Sequence, residues 1–314
     1  MDKKNLIISK LEELAKIYQL NEDKKWNLRA LLIAINAIKK YDGEIISGKH
    51  VQSELKGVGE KISKRIDEIL KTGTLSELPN TSSTSTSTST NLQNLLLITG
   101  VGIVKAKKWL SLGIKNINDV KKAINDKLIK STHHIDIGIK YYDDFQQKIP
   151  REEIDGMKQI LMSMSIIKKF EICGSYRRGA LSSGDIDVLI LGNNNLLKKI
   201  VKDLTAIGFI IDNLTTKGDT KFMGVCRLKQ GYIARRIDIR VVDSDAYYTS
   251  LIYFTGSKNF NVYIRNKALE NNFSLNEYAL TNLEDNSKIL LKSEKEIFDI
   301  LKIPYVSPEM RNIS

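Results

Sequence analysis

The chain has 314 residues, of which 42% are hydrophobic and 27% are charged, and its formal net charge is +12. This length allows more than one hydrophobic core. No stretch approaches the roughly 20 apolar residues that a membrane-spanning helix needs, so no membrane partner is expected. The excess of Lys and Arg is typical of a solvated surface or of a protein that binds a polyanion, and charge alone does not decide between them.

Residues 1–79 are predicted to be helical. Apolar side chains recur at spacings of three and four from Leu6 to Ile17 and again from Leu28 to Ile38, which is the pattern of amphipathic helices. The first of these stretches carries both acids and bases and is not a signal peptide.

A run of Ser and Thr, unbroken from Thr81 to Thr90, follows this helical region. Because these residues cannot build a core, residues 80–94 are expected to be a flexible linker or an exposed loop. Helical patterning resumes at about Asn94 and continues to Lys148.

The pattern then changes to short β-rich runs between Phe170 and Tyr253, with a helix around 196–207, and ends in a mixed α/β tail. The β-rich runs read FEICG, DIDVLIL, FMGVCRL and RRIDIRVV. We therefore expect a multi-domain α+β protein. Its expected parts are a helical N-terminal domain (1–79), the linker (80–94), a second helical segment (95–148), a sheet-containing core (149–257) and a small α/β C-terminal subdomain (258–314).

The run CGSYRRGALSSGDIDVLIL, which begins at Cys173, carries the strongest functional signal. Asp185 and Asp187 lie two residues apart in an apolar stretch, and side chains at that spacing in a strand project to one face. Two adjacent carboxylates repel each other unless a cation lies between them, and such hard oxygen ligands suit Mg²⁺. The pair Gly174 and Ser175 can open a helix whose N–H groups hold phosphate. Together these features indicate a site for a nucleoside triphosphate.

Two similar glycine-containing turns lie in the helical parts. Leu55-Lys-Gly-Val-Gly59 precedes the basic segment KISKRIDEIL, and Ile98-Thr-Gly-Val-Gly102 precedes IVKAKKWLSLGI. In each turn the glycines let backbone N–H groups approach a phosphate, and the start of the following helix favours the anion. A single such turn is also typical of simple interhelical packing. Two copies on a basic chain favour sequence-independent binding to the DNA backbone through helix-hairpin-helix motifs.

A third carboxylate is supplied by Asp238 in the run RRIDIR. It alternates with Ile237 and Ile239, so the isoleucines are expected to face the core and Asp238 the opposite side. A lone Asp in a strand is more often a surface residue. With Asp185 and Asp187, however, it fits the layout of a two-metal phosphoryl-transfer site.

The runs GSYRRG, SSGDIDVL, KGDTKFMGVC, RRIDIR and YFTGSKNFN closely resemble the family X DNA polymerases, in particular the beta type. The resemblance extends from the first hairpin nearly to the end of the chain. It implies a helix-hairpin-helix N-terminal domain, a helical fingers- or thumb-type segment, a mixed-sheet nucleotidyltransferase palm, and DNA-directed synthesis that fills short gaps in base excision repair. It also implies two Mg²⁺ ions, for which Mn²⁺ can substitute, at Asp185, Asp187 and Asp238.

The resemblance assigns further residues to nucleotide, DNA and cation binding. The residues implied for dNTP binding are Lys148, Gly174, Ser175, Arg178, Ser183, Gly184, Tyr253, Phe254, Gly256, Lys258 and Asn261. Those implied for DNA binding are Gly57, Gly59, Lys61, Lys64, Arg65, Gly100, Gly102, Lys105, Lys221, Arg236 and Arg265. The backbone carbonyls implied to bind Na⁺ or K⁺ are those of Ser53, Leu55, Val58, Leu96, Ile98 and Val101. Arg240 and Glu277 match a switch that operates when the site closes. The chain departs from the beta-type enzymes at Lys148, where they have arginine, and at Lys258, where they have an acidic residue.

In beta-type enzymes the N-terminal domain also removes a 5′-deoxyribose phosphate, using a lysine that forms a Schiff base. The corresponding residue here is Arg65, which stays protonated and cannot form an imine. Lys64 is adjacent but faces about 100° away on the helix, and Lys61 matches a 5′-phosphate contact. We expect phosphate binding with lost or weakened lyase chemistry. The alternative is rescue by Lys61 or Lys64.

Two other functions remain open at this point. A template-independent nucleotidyltransferase is disfavoured by the absence of a long extra loop, and a non-catalytic DNA-end-binding scaffold by the presence of all three aspartates. The expected partners are gapped or nicked double-stranded DNA, dNTPs, and repair proteins such as a DNA ligase. The chain is expected to act as a monomer.

Cys173 and Cys226 both lie in apolar runs and are expected to be buried, reduced thiols of an intracellular protein. No distinct basic import cluster separates a nuclear from a cytoplasmic setting. The composition, rich in Asn, Ile and Lys, is typical of AT-rich genomes, including viral ones. The adjacent His133 and His134 diverge on a helix, have no neighbouring cysteine, and are not expected to bind a metal.

Overall fold

A computed structural model describes residues 3–19, 24–78, 83–215 and 220–312. The chain divides into two units, Met1–Leu96 with Gly102–Asn116 and Leu97–Val101 with Ile117–Ser314. Residues of the expected second helical segment, 95–148, fall in both units. In the described ranges no helix combines the length and the apolar character needed to cross a membrane.

The described part of the first unit is helical, as predicted. Its helices are α1 (Lys3–Gln19), α2 (Lys25–Lys40), α3 (Gly48–Glu54), α4 (Glu60–Thr72), α5 (Ser83–Leu96) and α6 (Ile103–Ser111). Helix α1 packs on α2 and α4, and the apolar faces read from the sequence form their common core, in which Leu11, Leu31 and Ile66 are fully buried. Leu32 lies in the second apolar stretch and was expected to be on its buried face, but it is 46% exposed.

The Ser/Thr-rich run is helical where the structure describes it, and this corrects the expected linker. Helix α5 begins at Ser83 and ends at Leu96. Leu92 and Leu95 are buried in its C-terminal half, and the helix packs against α6. Ser and Thr are weak helix formers, but burial at one end stabilises a helix that extends through a polar run without Pro or Gly. Residues 80–82 of the expected linker lie outside the described residues.

The second unit is built on a five-stranded mixed sheet. Its strands, with those of two smaller sheets, are β1 (Ile149–Pro150), β2 (Phe170–Ile172), β3 (Ser182–Ser183), β4 (Ile186–Leu191), β5 (Ile210–Asn213), β6 (Lys221–Cys226), β7 (Arg235–Val242), β8 (Phe273–Leu275), β9 (Leu280–Asn282) and β10 (Lys288–Ile289). The strand order is β2-β4-β7-β6-β5, in which β4 and β7 are parallel and all other neighbours are antiparallel. The four predicted β-rich runs are confirmed as β2, β4, β6 and β7. Strand β5 was missed because a four-residue run carries too little periodicity to be recognised.

Helices cover this sheet and build a separate core beyond it. They are α7 (Ile117–Asn125), α8 (His133–Lys140), α9 (Tyr142–Phe145), α10 (Arg151–Ser163), α11 (Gly174–Arg177), α12 (Asn194–Ala206), α13 (Tyr247–Thr255), α14 (Lys258–Glu270), α15 (Glu294–Ile300) and a 3-10 turn (Pro308–Arg311). Met157 of α10 and Ile200 of α12 pack with Ile237 of the sheet. Phe260 and Phe298 belong to a second core with β8 and β9. The expected multi-domain α+β class is confirmed.

One buried ion pair ties the central sheet to a helix. Arg235 at the start of β7 donates to the two carboxylate oxygens of Glu153 in α10 at 2.8 and 2.7 Å, and both side chains are 6% exposed. Arg235 Nη1 also donates to the carbonyl oxygens of Gln147 and Lys148. Because a buried charge is stable only when it is paired, these contacts fix the strand that carries Asp238.

The two cysteines are buried and form no disulfide, as expected. Burial strongly raises the pKa of both the Cys173 and the Cys226 thiols. They therefore act as packing residues of the second unit.

Candidate active site

Three aspartates meet at one end of the parallel strand pair. In the register of β4 and β7, Asp187 lies directly opposite Asp238, and Asp185 immediately precedes β4. Strand β7 alternates between buried and half-buried residues, so that Ile237 and Ile239 enter the core. The predicted orientation of Asp238, away from the core, is therefore confirmed.

Burial and neighbouring carboxylate charges raise the pKa of two of these aspartates, Asp187 and Asp238. Burial, reinforced by the charges of Asp185 and Asp238, raises the pKa of Asp187 to about 7. Burial likewise raises the pKa of Asp238, although the ammonium group of Lys221 opposes this effect. A divalent cation would favour the ionised form of Asp187 and Asp238.

Two basic side chains pair with these aspartates. Arg236 Nη2 lies 2.9 Å from Asp185 Oδ2, and Lys221 Nζ lies 3.9 Å from Asp238 Oδ2. Both Arg236 and Lys221 were expected to contact DNA. Across the described ranges, no group of three or more carboxylate, His or Cys side chains converges closely enough to hold a metal ion. The donor set fits a divalent cation by its chemistry, and in this structure Arg236 contacts one of the two oxygens of Asp185.

The predicted phosphate turn lies beside the aspartates. Gly174 begins α11 with a φ of +57°, and a side chain at this position would collide with Asp187 Oδ2. Ser175 Oγ donates to Ser183 Oγ at 2.9 Å. This contact joins α11 to β3, the strand just before the first two aspartates, so the turn and the carboxylates are held as one group.

The two basic side chains predicted to bind the nucleotide, those of Arg178 and Lys148, lie close to glycine residues. Arg178 Nη1 donates to Thr255 O at 2.6 Å, and it would lie 3.2 Å from a Cβ at Gly256. Lys148 Nζ would lie 3.7 Å from a Cβ at Gly184. At Gly256 the φ of +69° also favours glycine. These glycines therefore leave room for the basic side chains beside the backbone.

A cavity of about 640 Å³ opens over these groups. Eleven of its fourteen lining residues are ones that the sequence predicted for metal, nucleotide or DNA contacts. The other three, Thr255, Ser257 and Val262, were missed. Val262 lies one helical turn after Lys258 in α14, a spacing that could have identified it. Asp238 lies outside this cavity and lines a smaller neighbouring space.

The expected switch residues are not paired with each other in this structure. Glu277 Oε2 lies 3.5 Å from Arg265 Nη2. The guanidinium carbon of Arg240 lies 4.8 Å from the centre of the Phe254 ring. Arg240 Nε is buried and has no hydrogen-bond partner among the described residues. An unpaired buried donor is unfavourable. A rearrangement that gives Arg240 Nε a hydrogen-bond partner would therefore stabilise this side chain.

Both glycine turns have the backbone geometry expected of a helix-hairpin-helix motif. Gly57 and Gly100 have φ values of +98° and +88°, a conformation that favours glycine. Gly59 and Gly102 cap the N-termini of α4 and α6, and the space where their Cβ atoms would lie is open. The turns thus present backbone N–H groups on an unobstructed surface.

The carbonyl groups expected to bind a monovalent cation already take part in the turns. Leu55 O accepts from Val58 N at 3.3 Å, and Ile98 O accepts from Val101 N at 3.0 Å. A carbonyl oxygen has two lone pairs, and each of these contacts occupies one of them.

The adjacent histidines have contacts within the second unit. His133 Nε2 lies 2.7 and 2.8 Å from the backbone and side-chain oxygens of Asn213. His134 packs against Gly100, where a Cβ would lie 2.8 Å from the His134 Cβ. Both residues therefore have a structural role around the second turn.

Arg65, which the resemblance aligned with the lyase nucleophile, is held inside the first unit. Its Nε and Nη2 donate to the two Glu77 oxygens at 2.7 and 2.9 Å, and Nη2 also donates to Tyr18 Oη at 2.6 Å. Tyr18 Oη donates in turn to Glu77 at 2.6 Å. The Arg65 side chain is 11% exposed, whereas Lys61 and Lys64 on the same helix are exposed. This arrangement does not support the expected DNA contact of Arg65.

Sequence models of four protein domains match successive parts of the chain. They are a helix-hairpin-helix domain over residues 2–75, the fingers domain of DNA polymerase lambda over 93–146, the DNA polymerase beta palm over 148–244 and the DNA polymerase beta thumb over 250–312. The three aspartates and the phosphate turn all lie in the palm match.

Curated relatives match nearly the whole chain. It is 32% identical over 330 residues to the DNA polymerase lambda of Rattus norvegicus, covering 98% of this chain and 56% of the relative. It is 29% identical over 308 residues to the DNA polymerase lambda of Arabidopsis thaliana, with 89% and 57% covered. It is 25% identical over 402 residues to the DNA polymerase IV of Saccharomyces cerevisiae, with 98% and 66% covered. The chain thus spans less than two thirds of the length of each of these relatives. The order of the matched domains and the geometry of this site show that the chain is similar to the family X DNA polymerases, and in its palm and thumb to DNA polymerase beta.

Proposed function

We propose that this chain is a DNA-directed DNA polymerase that fills short gaps in base excision repair by transferring a nucleotide from a dNTP to a primer 3′-hydroxyl. One observation carries the proposal: Asp185 and Asp187 line a single cavity with Ser175 and Arg178. Nucleotidyl transfer needs carboxylates for cations and a grip for the triphosphate at one place, because its catalysis rests on positioning and charge stabilisation.

The three aspartates are proposed to hold two divalent ions, Mg²⁺ or, in substitution, Mn²⁺. Family X polymerases generally use divalent metals, which when bound neutralise charge that develops on the transferring phosphoryl group. The chain itself supplies the positioning. Ser175 and Arg178 orient the triphosphate, and Asn261, whose Nδ2 donates to Tyr253 O at 2.8 Å, is held at the cavity wall with its side-chain oxygen available to a base edge. Tyr253 and Phe254, with ring centres 5.0 Å apart, are proposed to crowd a ribose 2′-hydroxyl.

The glycine turns are proposed to bind phosphates of gapped or nicked duplex DNA, with Na⁺ or K⁺ at their carbonyl groups. An aromatic residue that sequence reasoning missed adds to the first turn. Trp26 on α2 is 78% exposed, and Ile33, two turns later on the same face, would touch a Cβ at Gly57. An exposed tryptophan beside a basic module suits stacking on a nucleobase.

The N-terminal domain is proposed to bind a 5′-phosphate without lyase chemistry. The support is the closed group of Arg65, Glu77 and Tyr18, which places a permanently charged side chain at the nucleophile position. Borohydride trapping on a 5′-deoxyribose-phosphate substrate tests this proposal. An adduct that Lys61→Ala or Lys64→Ala abolishes would show that a neighbouring lysine rescues the reaction.

We further propose that the chain acts as a monomer inside the cell, with other repair proteins such as a DNA ligase. Its functional parts are proposed to follow the sequence boundaries 1–79, 95–148, 149–257 and 258–314, which lie near the ends of the matched domain models.

The deciding experiment is incorporation of dNTPs on a gapped duplex in the presence of Mg²⁺. We expect Asp238→Ala to remove incorporation, while Asp203→Ala, at an exposed acid of α12, retains it. Full activity of Asp238→Ala would contradict the site. Extension of single-stranded DNA without a template would favour the template-independent transferase, and tight binding to DNA ends without any incorporation by the wild type would favour the scaffold.

A further inference from the structure

Arg178, the arginine proposed to hold the triphosphate, is bound by the protein on two sides. Its Nε donates to Asn312 Oδ1 at 2.7 Å, and its Nη1 donates to Thr255 O at 2.6 Å. Among the described residues, Nη2 donates to no acceptor. Nη2 is therefore the nitrogen whose protons are all left for a ligand.

One of these partners, Asn312, lies in the C-terminal tail, which here means residues 306–312. Asn312 lies 134 residues beyond Arg178, and its place is set by the residue before it. Arg311 is fully buried. It donates to Val306 O at 3.0 and 2.8 Å and to Glu294 Oε1 at 2.7 Å. An ion pair buried in this way holds its backbone firmly, so the next side chain, Asn312, is delivered to a defined position.

The same tail is also connected to the two segments that flank the predicted phosphate site, directly to one of them and through Glu294 of α15 to the other. Ser257 N donates to Arg311 O at 3.3 Å. Arg177, next to Arg178 in the chain, donates to the two Glu294 oxygens at 2.9 and 3.1 Å. The tail, the end of α11 and the start of α14 thus form one hydrogen-bonded group, within which Asn312 is the side chain that contacts Arg178.

We propose that Asn312 is a positioning residue for the triphosphate: it fixes the plane of the Arg178 guanidinium so that Nη2 is presented to a phosphate oxygen. This inference rests on the proposed function. An arginine side chain has large rotamer freedom, which is lost when it binds a ligand. If a partner already fixes the side chain before the ligand binds, less conformational entropy is lost on binding. Asn312 acts through Arg178 and touches no substrate.

The test is steady-state incorporation of one dNTP on a gapped duplex. We expect Asn312→Ala to raise KM for the dNTP about tenfold, equivalent to about 1.4 kcal/mol, with kcat changed less than about twofold. Met310→Ala is the matched control, because this side chain belongs to the same tail and is 72% exposed. It is expected to leave both constants unchanged. An unchanged KM in Asn312→Ala overturns the proposal.

A double-mutant cycle separates positioning from general damage to the tail. In an Arg178→Ala background, Asn312→Ala should have no further effect on KM, because its partner is gone. Additive effects would overturn the positioning role. If the wild type incorporates no dNTP, the proposed function fails instead. In that case the affinity of the same four proteins for dTTP is measured by calorimetry in the presence of Ca²⁺. Additive losses of affinity in the double variant would also overturn the inference.

Discussion

Asp187 is expected to destabilise the folded protein when no cation is bound, and removal of its charge should recover that stability. Asp187→Asn keeps the size and shape of the side chain and abolishes its ionisation. The neighbouring charges that oppose ionisation, those of Asp185 and Asp238, remain in place. The substitution therefore isolates the electrostatic strain of this one carboxylate.

The sign and size follow from the raised pKa. Asp187 titrates near 3.8 when unperturbed and at about 7 in the folded protein. Between these values the folded state binds more protons than the unfolded state, so its stability falls as the pH rises. Across the whole window the loss approaches about 4 kcal/mol, and between about pH 5 and about pH 8 it amounts to about 2.5 kcal/mol. Solvent at the cavity edge lowers the latter figure to about 2 kcal/mol. The stability advantage of Asp187→Asn should grow by this amount over the same pH interval.

Urea denaturation in the presence of EDTA, at about pH 5 and about pH 8, measures this difference. Far-UV circular dichroism is the appropriate signal, because both tryptophans, Trp26 and Trp109, lie in the first unit. Asp203→Asn, at an exposed position, controls for the loss of one negative charge. Mg²⁺ should reduce the advantage of Asp187→Asn by binding the folded wild type. An advantage of equal size at both pH values would refute the reasoning.

Four further substitutions, one of which is used only in combination, test three separate parts of the structure. Glu153→Gln leaves Arg235 buried without its counter-charge and should lower the free energy of unfolding by about 3 kcal/mol in the same urea titration; a change below about 1 kcal/mol would show that the pair is dispensable. Gly174→Ala introduces a Cβ at positive φ against the carboxylate of Asp187, so we expect incorporation to be lost while binding to gapped DNA is retained, and loss of both would indicate unfolding. Arg65→Lys alone should give no borohydride adduct, because Glu77 would keep the new amine protonated, whereas Arg65→Lys combined with Glu77→Gln should give one. An adduct with the single variant would show that Glu77 does not control the amine.

Much of the site could be predicted because its signals are local. The alternation around Asp238 predicted which face of β7 carries the carboxylate, and the register of β4 and β7 then places it opposite Asp187. The glycine turns were recognisable because Gly57 and Gly100 adopt a backbone conformation that favours one residue type. The helical state of the Ser/Thr run was not predictable in the same way, since the propensity of these residues argues against it and the burial of Leu95 decides it.

The sequence by itself determined the helices of the first unit other than α5 and the strands β2, β4, β6 and β7. It also determined the presence of three carboxylates beside a glycine-serine turn, and the likeness to family X polymerases. These follow from residue type and short-range spacing, which each segment carries alone. Only the tertiary structure decided which partner each arginine has: Glu77 for Arg65, Asp185 for Arg236, and the neutral amide of Asn312 for Arg178. Hydrogen bonds and ion pairs of this kind act over about 3 Å, and periodicity holds no information on which distant side chains the fold brings within that distance.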